Sequence, residues 1–272
     1  MGAGRVTQRT ARRTRQAGPQ SPAAGRPPRS LGVRVVRKLL LTLVSLVVLC
    51  AVVFGLLMLV TPSADNARQL AKTFDRAHGA AYPGPQVPFR FAASLEATED
   101  HRFAGEPGID PFSVLRVVYG YATGKGDQGG ATLYQQLAKM LYTPGRMTAS
   151  AEAEQVALAV KLKYGYSEAE ILRLYADVAY FGHGYYGLHD ASCGYFGVRP
   201  AQLSWPQAAL LAGLVQAPTN DDPLSYPAAG LAREQHVMRR LVAVGQLSQP
   251  AADSYLAIPL NRLLSSTRDC QA

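Results

Sequence analysis

At 272 residues, with 48% apolar side chains, the chain is long enough to bury a sizeable core, which excludes a wholly disordered protein. The formal charge of +9 is unevenly placed: residues 1–38 hold nine Arg, one Lys and no acid, whereas the remainder holds 18 basic against 19 acidic residues. A near-neutral remainder carries no basic footprint, so a generic nucleic-acid-binding domain is excluded.

Residues 1–38, rich in Arg, Pro and Gly, read as a disordered tail attracted to anionic lipid headgroups. Leu39–Thr61 follows with 23 residues and no charge. As a helix rising about 1.5 Å per residue, it is long enough for a hydrocarbon core of about 30 Å, so 39–61 is predicted to be a transmembrane helix. A cleavable signal peptide is the competing reading, against which stand the length of the apolar run and of the tail before it. The positive-inside bias keeps the tail cytoplasmic and exports Pro62–Ala272.

Within 62–88, Asp65–His78 sets Leu70 and Phe74 among Arg68, Lys72 and Arg76, the pattern of a short juxtamembrane helix, and the Pro/Gly stretch at 80–88 ends it as a linker. Phe91–Thr98 resumes an apolar periodicity and runs into Glu99-Asp100-His101-Arg102-Phe103. Thr132-x-x-Gln135, Ser167-x-x-Glu170 and Ser204-x-x-Gln207 are capping-box patterns, each heading an apolar-periodic run. A last long helix over about Ala228–Val244 stops at Gly245, and 248–272 is a weakly helical extension with Pro250 in its first turn. No long β-alternation occurs, so the fold class is mainly α. Cys50 falls in the span; Cys193 and Cys270 lie outside it, where an oxidising environment permits a disulfide, but spacing does not bring them within reach and the reading here favours two free thiols. No Cys/His cluster has metal-site spacing.

Two segments could carry chemistry. After the Gly129-Gly130 pair, Leu133, Leu137, Met140 and Leu141 share one helical face, and Thr132, Gln135, Gln136 and Lys139 share the other. Free N–H groups at a helix start together with a Lys suit a cluster of anionic oxygens such as pyrophosphate, although a solvated polar face explains the same pattern. Glu99-Asp100 end an apolar helix, and a carboxylate held partly out of water can be tuned as a general acid or base. Acids before a turn are also commonly just solvated, and Glu152 and Glu154 suit the first turn of a helix for dipolar reasons alone.

In order along the chain stand Glu99-Asp100-x-x-Phe103 with Gly108-Ile109-Asp110, Gly129-Gly130-x-Thr132-x-x-Gln135-Gln136-Leu137-Ala138-Lys139, Ser167-x-x-Glu170-Ile171-Leu172-x-x-Tyr175, Tyr180-Phe181-Gly182-x-Gly184-x-Tyr186-Gly187 and Ala208-Ala209-Leu210-Leu211-Ala212-Gly213-Leu214-x-x-Ala217-Pro218. This series resembles glycosyltransferase family 51, the peptidoglycan glycosyltransferases that polymerise lipid II, over roughly residues 80–245. The resemblance implies a lysozyme-like, two-lobed helical glycosyltransferase domain over 89–247, and a single span before it resembles the monofunctional members, anchored in the bacterial cell membrane. It implies Glu99 as the base that takes the proton from the acceptor sugar's 4-hydroxyl, Glu154 as the second catalytic acid, and Asp100, Arg116, Thr132, Gln135, Gln136, Lys139, Arg146 and Gln155 around the sugars and the leaving pyrophosphate. Partners so implied are lipid II, the growing glycan strand and membrane lipids, with penicillin-binding transpeptidases or division and elongation proteins as further candidates and no nucleic acid. No cofactor is required, and a divalent cation at the pyrophosphate is the one addition left open.

The chain departs from the family pattern at several of these places. A family His falls on Glu106; Ala131, Tyr134 and Met140 stand for Ser, Thr and Asn; Ser150-Ala151 stands for an Arg-Lys pair; Ala176-Asp177 stands for Leu-Asn. Counting forward from Arg146 puts the second Glu on Glu154, and counting back from Ser167 puts it on Gln155. A catalytically weakened relative that binds lipid II or wall-synthesis proteins as a scaffold is therefore the alternative expectation.

Overall fold

The computed structural model describes residues 1–2, 31–110, 119, 123–124, 130–265 and 270, in two compact units, Met1–Cys50 and Ala51–Ala272. Helix α1, Leu31–Val60, runs through the boundary between them. Its stretch Gly32–Val60 contains an 18-residue window of mean hydropathy 3.1 and is long and apolar enough to cross a membrane, with its large apolar side chains facing outward. It begins eight residues before the predicted span, because no Pro separates Leu31 from Leu39 and Arg34, Arg37 and Lys38, good helix formers, carry the helix past the end of the uncharged run.

Among the described residues of the second unit the regular structure is helical, joined by turns and loops, apart from an isolated antiparallel bridge between Tyr180 and Tyr186. Helix α2, Ala67–His78, starts two residues later than predicted because the Ser63 hydroxyl closes a local turn on Asp65 (2.6 Å), and it stops at Gly79 in the left-handed conformation. Ala67, Ala71 and Asp75 form its buried stripe, which makes α2 part of the folded unit. After it come α3 (Phe89–Glu99), α4 (Leu133–Tyr142), α5 (Ala149–Gly165), α6 (Glu168–Val178), α7 (Leu188–Phe196), α8 (Trp205–Leu214), α9 (Pro227–Ala243), α10 (Gln249–Leu256) and the short α11 (Leu260–Leu263).

The core is built around α8, whose Ala208–Ala212 run is fully buried; a helix apolar all round has to be covered on every side. Helices α3 and α9 supply that cover and pack on each other, while α4 lies on α5 and α6, and α2 on α6. Two of the three predicted capping boxes close. Thr132 and Gln135 exchange both bonds, and Gln207 accepts from the backbone and the hydroxyl of Ser204, each at 2.9 Å. At the third, Ser167 accepts from the Glu170 N–H, but the Glu170 carboxylate turns to Arg68 on α2 (2.5 Å) and so ties α6 to α2 instead. Cys193 on α7 is bonded to Cys270, 77 residues on, which corrects the expectation of two free thiols: tertiary packing brings the Cα atoms to 5.0 Å, a proximity that spacing cannot express.

Two features of this packing have measurable consequences. Gly182, in the loop before α7, has φ +87°, and a Cβ there would sit 2.3 Å from the Pro218 carbonyl oxygen. The left-handed backbone alone costs a larger residue about 1–2 kcal/mol, so Gly182→Ala is expected to lower the melting temperature by several degrees, read by circular dichroism of the detergent-solubilised chain. Glu234, on α9, is fully buried with both oxygens unpartnered among the described residues, and desolvation pushes its carboxyl up to about 7. The folded form thus keeps a proton that the unfolded chain releases from about pH 4.5 upward, so the stability this group contributes at low pH is lost as pH rises to about 7. The melting-temperature advantage of Glu234→Gln over wild type should grow from pH 5 to pH 7.5 and then level off; an advantage independent of pH would contradict this.

Candidate active site

The site is assembled where the end of α3 meets the start of α4. Helix α3 stops after Glu99 because Asp100 leaves helical geometry (φ −157°, ψ 74°), and the following turn is pinned by buried Phe103, stacked on Tyr134 of α4 at 4.9 Å. Asp100 is itself buried, and its carboxylate accepts the N–H of Leu133 at 3.0 Å, one of the donors that a helix start leaves without an intrahelical partner. The two predicted segments are thus joined by one charge-assisted bond across 33 residues of sequence.

That junction sets Glu99 beside the exposed side of α4. Gln136 donates its amide to Glu99 at 3.1 Å and to the Ala131 carbonyl at 3.2 Å, while its own carbonyl accepts the hydroxyl of buried Tyr175 at 2.8 Å. Tyr175 therefore orients Gln136, and Gln136 orients Glu99. Desolvation raises the Glu99 carboxyl above the ordinary range; the Gln136 bond and the charge of Arg233 on α9 pull it partly back, and Asp100 pushes it further up. A half-buried carboxylate held by a neutral amide, near an opening of about 260 Å³ that it lines with His101, Arg102 and Arg240, can accept a proton at near-neutral pH. Arg240 lines this opening and donates to the Ala97 carbonyl at 3.0 Å, where the carbonyls of the last turn of α3 attract a cation.

The other predicted residues divide by what they touch. Thr132 was expected on the exposed face of its helix; it is only 2% exposed, its hydroxyl donating to the Gly108 carbonyl (2.8 Å) and accepting from the Gln135 N–H (3.2 Å). A helix cap turns its side chain in towards the helix end, which periodicity counted from the helix interior does not capture. Gln135 commits its carbonyl to the same cap, accepting the Thr132 N–H at 3.0 Å. Lys139 is exposed and makes no ion pair among the described residues. Arg146 pairs with Glu154 at 3.0 Å, their side chains 50% and 21% exposed. Gln155 is buried, donating to the hydroxyl of Thr143 at 2.8 Å, so of the two adjacent candidates Glu154 is the one that reaches the surface. Arg116 lies outside the described residues. Among the described residues no three His, Cys, Asp or Glu side chains converge as metal ligands.

Tyr175, Arg233 and Arg240 were missed as site residues. Tyr175 had a signal, since a Tyr inside an apolar helical run needs a partner for its hydroxyl, but the sequence does not say which. The two arginines lie on a helix more than 130 residues after Glu99 and carried no local signal.

The transglycosylase family matches residues 67–242. A putative transglycosylase of Cupriavidus necator is 32% identical over 178 residues, covering 65% of this chain and 77% of its own length. Penicillin-binding protein 1A of Aquifex aeolicus is 33% identical over 176 residues, and penicillin-binding protein 2a of Streptococcus pneumoniae is 37% identical over 153. The chain covers only 24% and 20% of those two proteins, so it spans about a quarter or less of their length. A crystal structure of penicillin-binding protein 1A from Haemophilus influenzae aligns with 29% identity and a TM-score of 0.34, over 37% of this chain and 14% of that one. With its matched region beginning at α2 and ending in α9, taking in the Glu99–Gln136–Tyr175 array, the chain belongs to the transglycosylase family, glycosyltransferase family 51, as a divergent member.

Proposed function

We propose that this protein is a membrane-anchored peptidoglycan glycosyltransferase that polymerises lipid II into β-1,4-linked glycan strands. The observation that carries the reading is the Glu99–Gln136–Tyr175 array: a carboxylate desolvated enough to be a base, oriented by an amide that a buried hydroxyl holds in turn. Glu99 takes the proton of the acceptor's 4-hydroxyl as that oxygen attacks C1 of the muramyl sugar at the lipid end of the strand. The new C1–O bond forms on the face opposite the leaving group, the bond from C1 to the pyrophosphate oxygen breaks, and undecaprenyl pyrophosphate departs with the electron pair.

Charge on the leaving pyrophosphate is the other demand, and preorganised cations are the strongest way to meet it. Lys139 is exposed, makes no ion pair among the described residues and projects from the same helix as Gln136. Arg146 is held by Glu154, but an exposed pair of this kind is worth about 0–1 kcal/mol, too little to keep Arg146 from a multiply charged phosphate. Release of Arg146 would free Glu154 to act as the second carboxylate. A divalent cation on the pyrophosphate oxygens would add to the same charge, and no other cofactor enters the reaction. The basic tail orients the chain with its N-terminus in the cytoplasm and the folded unit outside, where both lipid-linked substrates lie in the bilayer leaflet beside it. Transpeptidases or division and elongation proteins that use the nascent strand are the macromolecular partners this reading favours.

Loss of Glu99 as a base should lower kcat by about 10²-fold or more with little change in melting temperature, which a lipid II polymerisation assay of Glu99→Gln checks. A Glu99→Gln chain that polymerises at the wild-type rate sinks the assignment.

The prior engagement of Arg146 favours one alternative, a non-catalytic lipid II-binding scaffold. The two part on a single comparison. An enzyme loses kcat in Lys139→Ala more than it loses lipid II affinity, whereas a scaffold binds lipid II, turns none over, and loses affinity alone.

A further inference from the structure

The reaction above leaves Glu106 unused. It is only 4% exposed, and neither of its oxygens accepts a hydrogen bond among the described residues. It follows the short 3-10 turn Phe103–Gly105, so the stacking of Phe103 on Tyr134 holds it in place. Facing it are Asp100 at the end of α3, Asp110 on the same loop with Arg102 bound to it, and Thr132 at the head of α4, whose hydroxyl already serves Gly108 and Gln135. Tyr134 lies next, with the Lys163 ammonium of α5 over its ring at 5.4 Å and Glu168 of α6 paired to that ammonium.

Asp100 and Glu106 are both acceptors when ionised, and Asp100 already holds the Leu133 N–H. Two buried carboxylates side by side are not both charged without a large cost; a proton on one turns the repulsion into a hydrogen bond. Burial first, and then the charges of Asp100 and Asp110, push the Glu106 carboxyl up to about 8, so at neutral pH Glu106 keeps the proton.

We propose that Glu106 is a positioning residue: its protonated carboxyl donates to Asp100, which secures Asp100 on the Leu133 N–H and thereby holds the head of α4 where Gln136 meets Glu99. The inference rests on the reading of Glu99 as the base. Ionisation of Glu106 sets two like charges against each other at the bond that ties the end of α3 to the first N–H of α4, and the register of Gln136 against Glu99 is lost with it.

The test uses the full-length chain in detergent, with lipid II turnover followed from pH 6.5 to 9.5 for wild type and E106Q. Wild-type kcat should fall above about pH 8, by up to tenfold per pH unit as one group ionises. In E106Q the amide donates to Asp100 at every pH and this fall should be absent; the same alkaline fall in both overturns the proposal. Amide-exchange protection of the Leu133 N–H, read by NMR without substrate and corrected for intrinsic rate, should drop over the same range in wild type and stay level in E106Q. Unchanged wild-type protection from pH 7 to 9.5 overturns the proposal even if E106Q does not fold. A wild-type drop in protection without any polymer would instead bring down the transferase reading and leave the Glu106–Asp100 bond standing.

Discussion

The hydrogen bonds at the start of α4 hold the candidate site together. A helix start exposes N–H groups that must be satisfied, and here they are met from two directions: by the reciprocal Thr132–Gln135 cap and by the Asp100 carboxylate. The cap is local and would form in many sequence contexts. The Asp100 bond comes from another helix, so it converts a local need of α4 into a fixed distance between α3 and α4. Everything that concerns Glu99 follows from that distance, since Gln136 lies one helical turn beyond Leu133 and reaches Glu99 only while the two helix ends are joined.

The folded unit handles its acids in a way that the overall charge conceals. Asp75, Glu106 and Glu234 are buried without hydrogen-bond partners among the described residues, and burial pushes all three up to about 7 or 8. At neutral pH part of the charge of these three acids is therefore held as protons, inside a domain whose formal balance is near zero. Arg102, Arg146 and Arg233 are each tied to an acid, while Lys139 stays open to solvent. An anionic substrate then meets a few placed cations rather than a broad basic field, and the strength of each cation's existing bond decides how readily it is recruited. The Arg146–Glu154 pair is weak by exposure, whereas Arg233 also donates to the Gly213 carbonyl at 3.1 Å and is held more firmly.

Much of the fold was legible because the signals were local. The apolar run of α1, the capping patterns at Thr132 and Ser204, and the stop at Gly245 each concern residues within a few positions of one another, where backbone and side-chain chemistry leave few choices. Gln136 and Lys139 lie on the outward face that the period predicts. Thr132 departs from that face because a cap obeys the geometry of the helix end, and Glu170 leaves its predicted cap because Arg68, 102 residues away in sequence, offers it a charge. Gln155 and Glu154 could not be ranked by counting, since adjacent helical positions differ by about 100° and the direction of the core was unknown until α5 was packed.

The sequence by itself determined the helical class, the apolar N-terminal helix, the ordered series of motifs and the family, all of which rest on spacing along the chain. Tertiary structure alone decided that Cys193 meets Cys270, that Tyr175 stands behind Gln136, and that Glu106 is buried facing Asp100. These are contacts between side chains on different elements, and their chemistry depends on distance and desolvation. Neither is encoded in the periodicity of any single segment; both arise when apolar faces such as those of α8 and α4 force the helices together and carry the polar groups with them.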